Sequence, residues 1–472
     1  MRTNNIEKLP LLNQWIWGFG ALGYALLERM LITYVIFFYL SPQEYQVVDL
    51  VPDRIYLGVF TILGMALLLG RIVDGLVDPF IAALSDKTRS SLGRRKPFML
   101  ASALPLSAMA ILIFYPPHLS ETSVVNGIWA CTIWTLFYIF FTTYITTYFA
   151  LIPELGHTNS IRINLGTIHA LFVIIGMIAM TVVFPLIVAA FQKNGLPLRP
   201  AYQYTAALFT LIALLSLLLA TFSFNEKKHC VPASPPATGT WKSILSILSI
   251  KAFRTFLLGE LFFQFAIFIL NLGLLYYVVV IFRQEESFLP ILGGLTIGVA
   301  LLSFPLVTKM AKTVGKKKPL LLGVAILTAA CFILFALSWN MTSTALYLGV
   351  LLFGLGGISL STCTILTVPT YADMAREEAL RTGVQREAMY YAARNLPLKI
   401  TIALAGATFS YLITVFGKDL AKPLGVQLSL LIVAVFSLIG FFFFAAYPEE
   451  RILQQLNKYE NKATEPPTNL PG

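Results

Sequence analysis

Asp74 and Asp78 stand four residues apart in the stretch GRIVDGLVDP at 70–79, with Arg71 one turn ahead of them. On a helix that spacing puts both carboxylates on one face, about 5–6 Å apart at Cβ. The flanking residues are apolar enough to cross a bilayer, and an ionisable side chain at that depth marks function by default. Two carboxylates this close in a low dielectric repel, and one takes a proton unless a cation lies between them. Hard cations take oxygen ligands, so the pair reads as a site for a monovalent cation or a proton. The competing reading keeps both aspartates as structural charges paired with Arg71 and Lys399. Depth favours the first. Asp78 and Asp74 lie 8 and 12 residues before Asp86, Thr143 lies 11 before Glu154, and Lys399 lies 11 after Ala388. At 1.5 Å per residue all four sit about 12–18 Å above the cytoplasmic ends of their helices. A lysine ammonium at that height can compete with a cation for the carboxylates, and such an exchange couples ion binding to a change of conformation.

The elements that carry these residues are membrane spans. Of 472 residues, 57% are hydrophobic and 12% are charged, and the mean hydropathy is +0.77, which excludes a soluble protein. Twelve apolar runs reach spanning length, near 13–40, 55–84, 98–116, 124–154, 164–192, 201–224, 252–283, 288–312, 319–338, 343–375, 388–416 and 424–447. Runs this long satisfy their own backbone as helices, not as barrel strands. An even number of spans puts both termini on one side. That side, with loops 85–97, 154–163, 225–254, 309–318 and 374–394, holds 25 of the 34 lysines and arginines; the opposite loops hold 6, and Arg29, Arg71 and Lys399 fall within spans. The bias places both termini in the cytoplasm and the chain in a plasma membrane, the inner membrane if bacterial. The net charge of +11 follows from that topology and implies the lipid bilayer, not nucleic acid, as partner. The first span is too long for a cleavable signal peptide and lacks a small-residue cleavage site.

The stretch NEKKHCVPASPPATGTWKS at 225–243 divides the spans six and six, and its Pro, Ser and Lys content reads as a cytoplasmic linker. The expected domains are an N-terminal six-helix bundle at 1–224, a linker at 225–250, a C-terminal bundle at 251–447 and a cytoplasmic tail at 448–472. The halves echo each other. SDKTRSSLGRRKPFML (85–100) follows the second span and TKMAKTVGKKKPLLLG (308–323) follows the eighth, each a basic turn with Gly, three cations and Pro. A duplicated six-helix unit, with a solute site between the halves near the midplane, is the plan of the major facilitator transporters. The expected fold class is therefore an all-α membrane protein of twelve transmembrane helices in two pseudo-symmetric six-helix bundles.

Other polar residues within the spans carry less. Glu28 and Arg29 either line a cavity or pair with each other. Glu260, Gln264 and Asn271 share one face of the seventh span and either face a hydrophilic pathway or bond neighbouring helices. His169 reads as a hydrogen-bonded packing residue. Tyr148 is among the aromatics able to stack on a sugar ring. GLGGIS (354–359) lies within the tenth span, where small residues let helices approach closely. Cys131, Cys230, Cys331 and Cys363 form no CxxC pair and read as small buried hydrophobes. There is no GxxxxGK[ST] loop, HExxH or GxSxG, which argues against an ATP-driven pump and against an enzyme.

GRIVDGLVDPFIAALSDKTRSSLGRRKPF (70–98) resembles the signature of the glycoside-pentoside-hexuronide:cation symporters, the melibiose-permease-like branch of the major facilitator superfamily. YFALIPELGHTNSIRINL (148–165) and YADMAREEALRTGVQREAMYYAARNLPLKITIAL (371–404) resemble later segments of the same family, so the likeness runs the whole chain in order. The resemblance implies that Asp74, Asp78 and Thr143 bind the coupling Na⁺ or H⁺ and that Lys399 and Arg71 take part in coupling. It implies gating-loop roles for Arg94, Arg95, Lys96, Asp373 and Arg386. The galactoside carriers hold sugar hydroxyls with aspartates on the first and fourth spans; here those positions are Ala25 and Thr146. A site that reads hydroxyls needs such acceptors, and Glu28, one turn past Ala25, is a substitute. Glu28, Thr146, Tyr148, Glu260 and Gln264 are thus the candidate solute residues.

The expected function is cation-coupled symport of a small solute, a sugar or glycoside, by a monomer that needs no cofactor. The alternatives are a carrier for an amphiphile such as a lysolipid, and a membrane receptor or enzyme that transports nothing.

Overall fold

The computed structural model describes residues 7–52, 54–55, 61–156, 159–230, 240–340, 342–382 and 387–464. Among the described residues the chain is helical, with only two isolated bridges, in turns at Ser90–Gly93 and Asp419–Lys422. Among those residues twelve long helices follow the twelve apolar runs. The first six are α1 (Leu11–Tyr39), α2 (Ile62–Lys87), α3 (Lys96–Leu112), α4 (Val124–Leu155), α5 (Asn159–Ile178, continued through a π-turn into Phe184–Lys193) and α6 (Leu198–Phe222). After the linker come α7 (Lys251–Tyr276, closed by a π-turn at Tyr277–Ile281), α8 (Leu289–Val314), α9 (Lys317–Leu337), α10 (Ser343–Thr382), α11 (Glu387–Phe416) and α12 (Leu424–Ala446). A final amphipathic helix, α13 (Glu449–Thr464), follows.

Ten of these helices are long and apolar enough to cross a membrane, and α3 is shorter. The remaining one, α2, has the length but carries Arg71, Asp74 and Asp78 in its interior. It starts later than the apolar run at 55–84 implies. Thr61 caps it by accepting the Gly64 N–H at 3.0 Å, and residues 56–60 lie outside the described residues. The helix α10 extends seven residues past the expected end at 375, so much of the expected loop 374–394 is helical.

The chain divides into two compact units. One takes Met1–Pro236, Ile269–Gly294 and Ile402–Ser429; the other takes Ala237–Phe268, Leu295–Thr401 and Leu430–Gly472. This differs from a division at the linker, because the ends of α7, α8, α11 and α12 nearest loops 282–288 and 417–423 group with the N-terminal helices. Hydrogen bonds within the first unit account for it. The Thr61 and Ser410 hydroxyls meet at 2.5 Å, Lys418 pairs with Asp49, and Asp419 and Glu44 accept the N–H groups of Gln43 and Leu420 at 2.8 and 2.6 Å.

Within the first unit α2 packs along α4, α1 against α5 and α6, and α3 against α4 and α6. The stretch GFGALG lets neighbouring helices come close to α1. A Cβ at Gly20 would meet the Ala220 Cβ at 2.5 Å, and one at Gly18 the Ile168 side chain at 2.4 Å, the small-residue contact by which membrane helices associate. In the second unit α9 packs on α10 and α10 on α13. The glycine run of α10 works the same way, since a Cβ at Gly357 would lie 2.2 Å from the Thr296 carbonyl oxygen on α8.

The duplicated basic turns fold alike. Each pivots on a glycine in the left-handed region, Gly93 (φ 114°) and Gly315 (φ 88°). Each then offers the free N–H groups at the start of the next helix to one carboxylate from beyond the last span of its half. Glu226 accepts from Arg94 (2.7 Å), Arg95 (3.0 Å) and Lys96 (3.1 Å). Glu449 accepts from Lys316 (2.7 Å) and Lys317 (3.1 Å). A lysine in each turn donates to the carbonyl two residues before that glutamate: Lys96 to Phe224 (3.1 Å) and Lys317 to Tyr447 (2.9 Å). An acidic group at a helix N-terminus satisfies orphan donors and complements the dipole.

Candidate functional site

The α2–α4 packing fixes the site. Thr142 donates to an Asp74 carboxylate oxygen, and Thr146 donates to Asp78 at 2.6 Å. Both helices step by four between these contacts and both steps rise with residue number, so α2 and α4 run parallel with their faces in register. The result is a ladder of two rungs, a carboxylate and a hydroxyl in each. Asp74 is 3% exposed, and Asp78 is half-buried. Thr143, expected beside the aspartates, spends its hydroxyl on the Ile139 carbonyl of its own helix at 2.7 Å.

Arg71 is shared. Its Nη2 lies 3.2 Å from Glu28 Oε1 on α1, and its Nη1 lies 3.6 Å from Asp74 Oδ2, one turn on. Its guanidinium carbon lies 4.4 Å from the centre of the Tyr138 ring, a cation–π contact that steadies a desolvated arginine. The Glu28 side chain is 27% exposed. Glu28 and Arg29 do not pair, because neighbours on a helix point apart; Arg29 reaches Asn271 Oδ1 on α7 at 3.2 Å instead. Arg71 thus links a partly open carboxylate on α1 to the buried ladder.

Other expected residues are placed differently. Tyr148 is fully buried, stacks on Trp17 with 4.4 Å between ring centres, and donates to the Trp17 carbonyl at 3.1 Å. Its ring is covered on that face. Thr146 serves Asp78. His169 bonds the Tyr24 hydroxyl at 2.6 Å through Nε2, the packing role read for it. Glu260 follows the second of its two readings, bonding neighbouring helices and not lining a solute pathway: it is wholly buried and saturated. Arg394 donates to it from Nε at 3.0 and 2.9 Å and from Nη2 at 2.5 Å, and Tyr371 donates at 2.7 Å. Gln264 is half-buried beside Cys363. Lys399 is half-buried on α11 in the second unit.

At the basic turns, Arg94 and Arg95 place side-chain nitrogens 3.3 and 3.2 Å from Glu154 at the end of α4. Asp373 on α10 pairs with Lys316 at 2.5 Å, the counterpart contact in the second half. Arg386 lies outside the described residues. The residues that the sequence reading did not single out are Thr142, Tyr138, Arg394, Tyr371, Glu226 and Glu449. Thr142 had a signal, since it and Thr146 repeat the four-residue step of the aspartates. Arg394 also had one, because the Glu260 carboxylate in an apolar helix demands a cation. Among the described residues no cluster of three or more His, Cys, Asp or Glu gathers for a metal ion, and all four cysteines are free thiols. Burial and the nearby Glu226 carboxylate push the Cys230 thiol well above its ordinary range, which leaves it unreactive.

Comparison with known proteins fits this architecture. The family described as "MFS/sugar transport protein" matches residues 16–450. An uncharacterized symporter of Bacillus subtilis, YnaJ, is 24% identical over 93% of this chain and 92% of its own. An uncharacterized symporter of Synechocystis is 29% identical over 57% of this chain, and the match spans about half of that relative's length, 49%. The isoprimeverose transporter of Lactiplantibacillus pentosus is 23% identical over 75% of this chain and 73% of its own. Among solved structures, the nucleoside transporter NupG superposes with a TM-score of 0.63 at 12% identity, over 93% of this chain and 98% of that one. A D-xylose-proton symporter gives 0.63 at 13%, over 93% and 98%. These structures share the fold of the chain. The chain belongs to the MFS/sugar transport protein family: it is an integral membrane transport protein and not an enzyme.

Proposed function

We propose that the protein is a symporter that moves a sugar or glycoside together with Na⁺ or H⁺ by alternating access. The observation that carries this is the two-rung ladder of Asp74 and Asp78 with Thr142 and Thr146, joined through Arg71 to Glu28. Two carboxylates and two hydroxyls a turn apart offer only oxygen ligands, the donor set of a hard monovalent cation. Without a cation the aspartates repel, so the pair takes up either a proton or a metal ion. Thr143 lies on the same stretch of α4 and joins the site by turning its hydroxyl away from the Ile139 carbonyl. Arg71 answers to both carboxylates it touches. A cation on Asp74 weakens the hold of Arg71 there and strengthens it on Glu28, so charge at the cation site is felt at the solute site. Lys399 on α11 takes the coupling role that the likeness of residues 371–404 to the symporter family implies.

The solute class rests on the relatives, named for lactose and isoprimeverose, and on Glu28. Glu28 is a partly exposed carboxylate joined to the ladder through Arg71 and a hydroxyl acceptor of the kind sugar sites need. Both termini face the cytoplasm, as the cation bias of the loops requires. The carrier works as a monomer in the plasma membrane.

The test is uptake into proteoliposomes under an imposed Na⁺ or H⁺ gradient, across a panel of sugars, glycosides and lysolipids. Gradient-dependent accumulation of one carbohydrate class is expected. Accumulation of a lysolipid alone, or uptake indifferent to every gradient, contradicts the proposal. Labelling of Ser91→Cys and Thr313→Cys by an impermeant thiol reagent should occur only from the cytoplasmic face.

A further inference from the structure

The first unit holds a buried carboxylate that the ladder does not use. Glu286 lies in the short turn Glu286–Phe288 between α7 and α8 and is 3% exposed. Its neighbours are phenols. Tyr202 on α6 donates to Oε2 at 2.8 Å, and the Tyr45 hydroxyl, on the turn Gln43–Tyr45, bears on the same carboxylate. Tyr34 on α1 stands behind, with 5.9 Å between its ring centre and that of Tyr202. Oε1 is buried with no hydrogen-bond donor among the described residues. The charged groups nearby are turned elsewhere. Arg283 and Glu285 in the same loop are exposed, as are Glu44 beside Tyr45 and Lys193 at the end of the helix that packs on this turn. Arg199 on α6 spends its guanidinium on the carbonyls of Val48 and Leu119. Among the described residues no lysine or arginine pairs with Glu286, and a buried carboxylate without a cation is costly in its charged form.

The turn that covers Glu286 is also part of a clasp. The Gln43 N–H donates to Asp419 at 2.8 Å, Glu44 accepts the Leu420 N–H at 2.6 Å, and Asp49, further along the same loop, pairs with Lys418. The α1–α2 loop thus ties down the α11–α12 loop and lays Tyr45 over the α7–α8 loop. All three loops belong to the first unit. Each joins an odd-numbered span to the even one after it, so they share the face opposite the termini. In alternating access a solute enters from that face only when such loops part. Parting them exposes Glu286 to water. Burial pushes its carboxyl up to about 7, against an ordinary value of 4.5, and hydration removes that penalty. The closed clasp therefore holds a proton more tightly than the opened one, and by linkage the proton favours closure.

We propose that Glu286 is a proton-binding site of this clasp: with a proton on its carboxyl the three loops stay closed, and loss of the proton lets them part. The proton comes from the face opposite the termini, the outside of the cell. This rests on the alternating-access reading above, and not on the coupling role of Asp74 and Asp78. The sign follows from the linkage. Acid favours the closed form, and the open form gains as pH rises from 4.5 to about 7, by up to about tenfold per pH unit. Above that window the gain levels off, because the carboxyl is ionised in both forms.

The experiment measures the distance between spin labels on Val48→Cys and Ala421→Cys, exposed residues of the α1–α2 and α11–α12 loops. It uses the full-length protein in liposomes without solute, its four native cysteines changed to alanine, over a series of pH values. The labelled parent should show a short distance in acid and a growing long population as pH rises towards about 7. Glu286→Gln keeps the shape of the protonated carboxyl and cannot ionise, so it should stay short at every pH. Tyr202→Phe removes a donor to the ionised carboxylate, so its change should move to higher pH; it reports if Glu286→Gln fails to fold. A distance that pH does not alter, or the same titration in Glu286→Gln as in its parent, overturns the proposal. Titration of the clasp in a protein that shows no gradient-driven uptake supports the proton site and overturns the symport reading instead.

Discussion

Two arginines in this protein, Arg71 buried and Arg394 half-buried, lie against a tyrosine ring and a glutamate, and their surroundings differ in one respect. In the second unit Arg394 spends its guanidinium on a single carboxylate, Glu260, which is sealed from solvent and closed by the Tyr371 hydroxyl. In the first unit Arg71 is divided between Glu28 and Asp74, at 3.2 and 3.6 Å, and Glu28 stays 27% exposed. The partners that α4 gives to Asp74 and Asp78 are hydroxyls, not cations. A saturated pair has nothing left to exchange, whereas a divided arginine beside two carboxylates can redistribute when a charge arrives. Burial and charge alone do not separate a staple from a binding site. Saturation does.

The contrast can be broken most directly at its closed end. Arg394→Ala leaves the Glu260 carboxylate buried without its cation, a loss of about 3–5 kcal/mol, and should lower folded yield and unfolding temperature sharply. Arg71→Ala should fold and fail chiefly in transport, as expected of a site. Equal losses of thermal stability in the two variants would erase the distinction. Next in size, Asp74→Asn and Asp78→Asn should each weaken cation activation about 30–100-fold, the equivalent of losing a charge-assisted contact of about 2–3 kcal/mol. Their unfolding temperatures should hold or rise, because repulsion is relieved. Smaller still, Thr142→Val and Thr146→Val remove a neutral ligand and should shift cation activation about fivefold, near 1 kcal/mol each. Thr146→Val leaving cation activation untouched while weakening solute binding would move that residue back to the solute site. The smallest effect belongs to the paired turns: Glu226→Gln and Glu449→Gln should each cost about 1 kcal/mol or less as weakened helix caps, read as similar small drops in unfolding temperature.

Much of this was legible in the sequence because membrane constraints are severe. A long apolar run in a membrane must be a helix, and among the described residues each of the twelve runs carries one. The charge bias of the loops, the GRRKPF and GKKKPL turns and the i, i+4 aspartates could be read directly. The site's other half was harder, because a threonine in a membrane helix can bond its own i−4 carbonyl or a neighbour. Thr143 does the first and Thr142 and Thr146 the second, and helix rotation, not residue type, decides which. Glu260 left two readings open for a related reason: its partner, Arg394, falls near the end of a span, where arginines normally belong to the loop count. Only the hydrogen bonds from Arg394 on α11 to Glu260 on α7 show that this arginine turns inward. The glutamates that hold the basic turns lie 130 residues and more along the chain from their partners, a pairing that no local pattern announces.

The central claim is that Asp74 and Asp78 form the coupling site. It is tested most directly by reconstituting wild type, Asp74→Asn and Asp78→Asn at equal density and measuring solute accumulation under an imposed cation gradient beside solute exchange with no gradient. The account predicts that the gradient drives accumulation only in wild type, while exchange of solute across the membrane persists in at least one variant. Accumulation driven by the gradient to the wild-type level in both variants would contradict it.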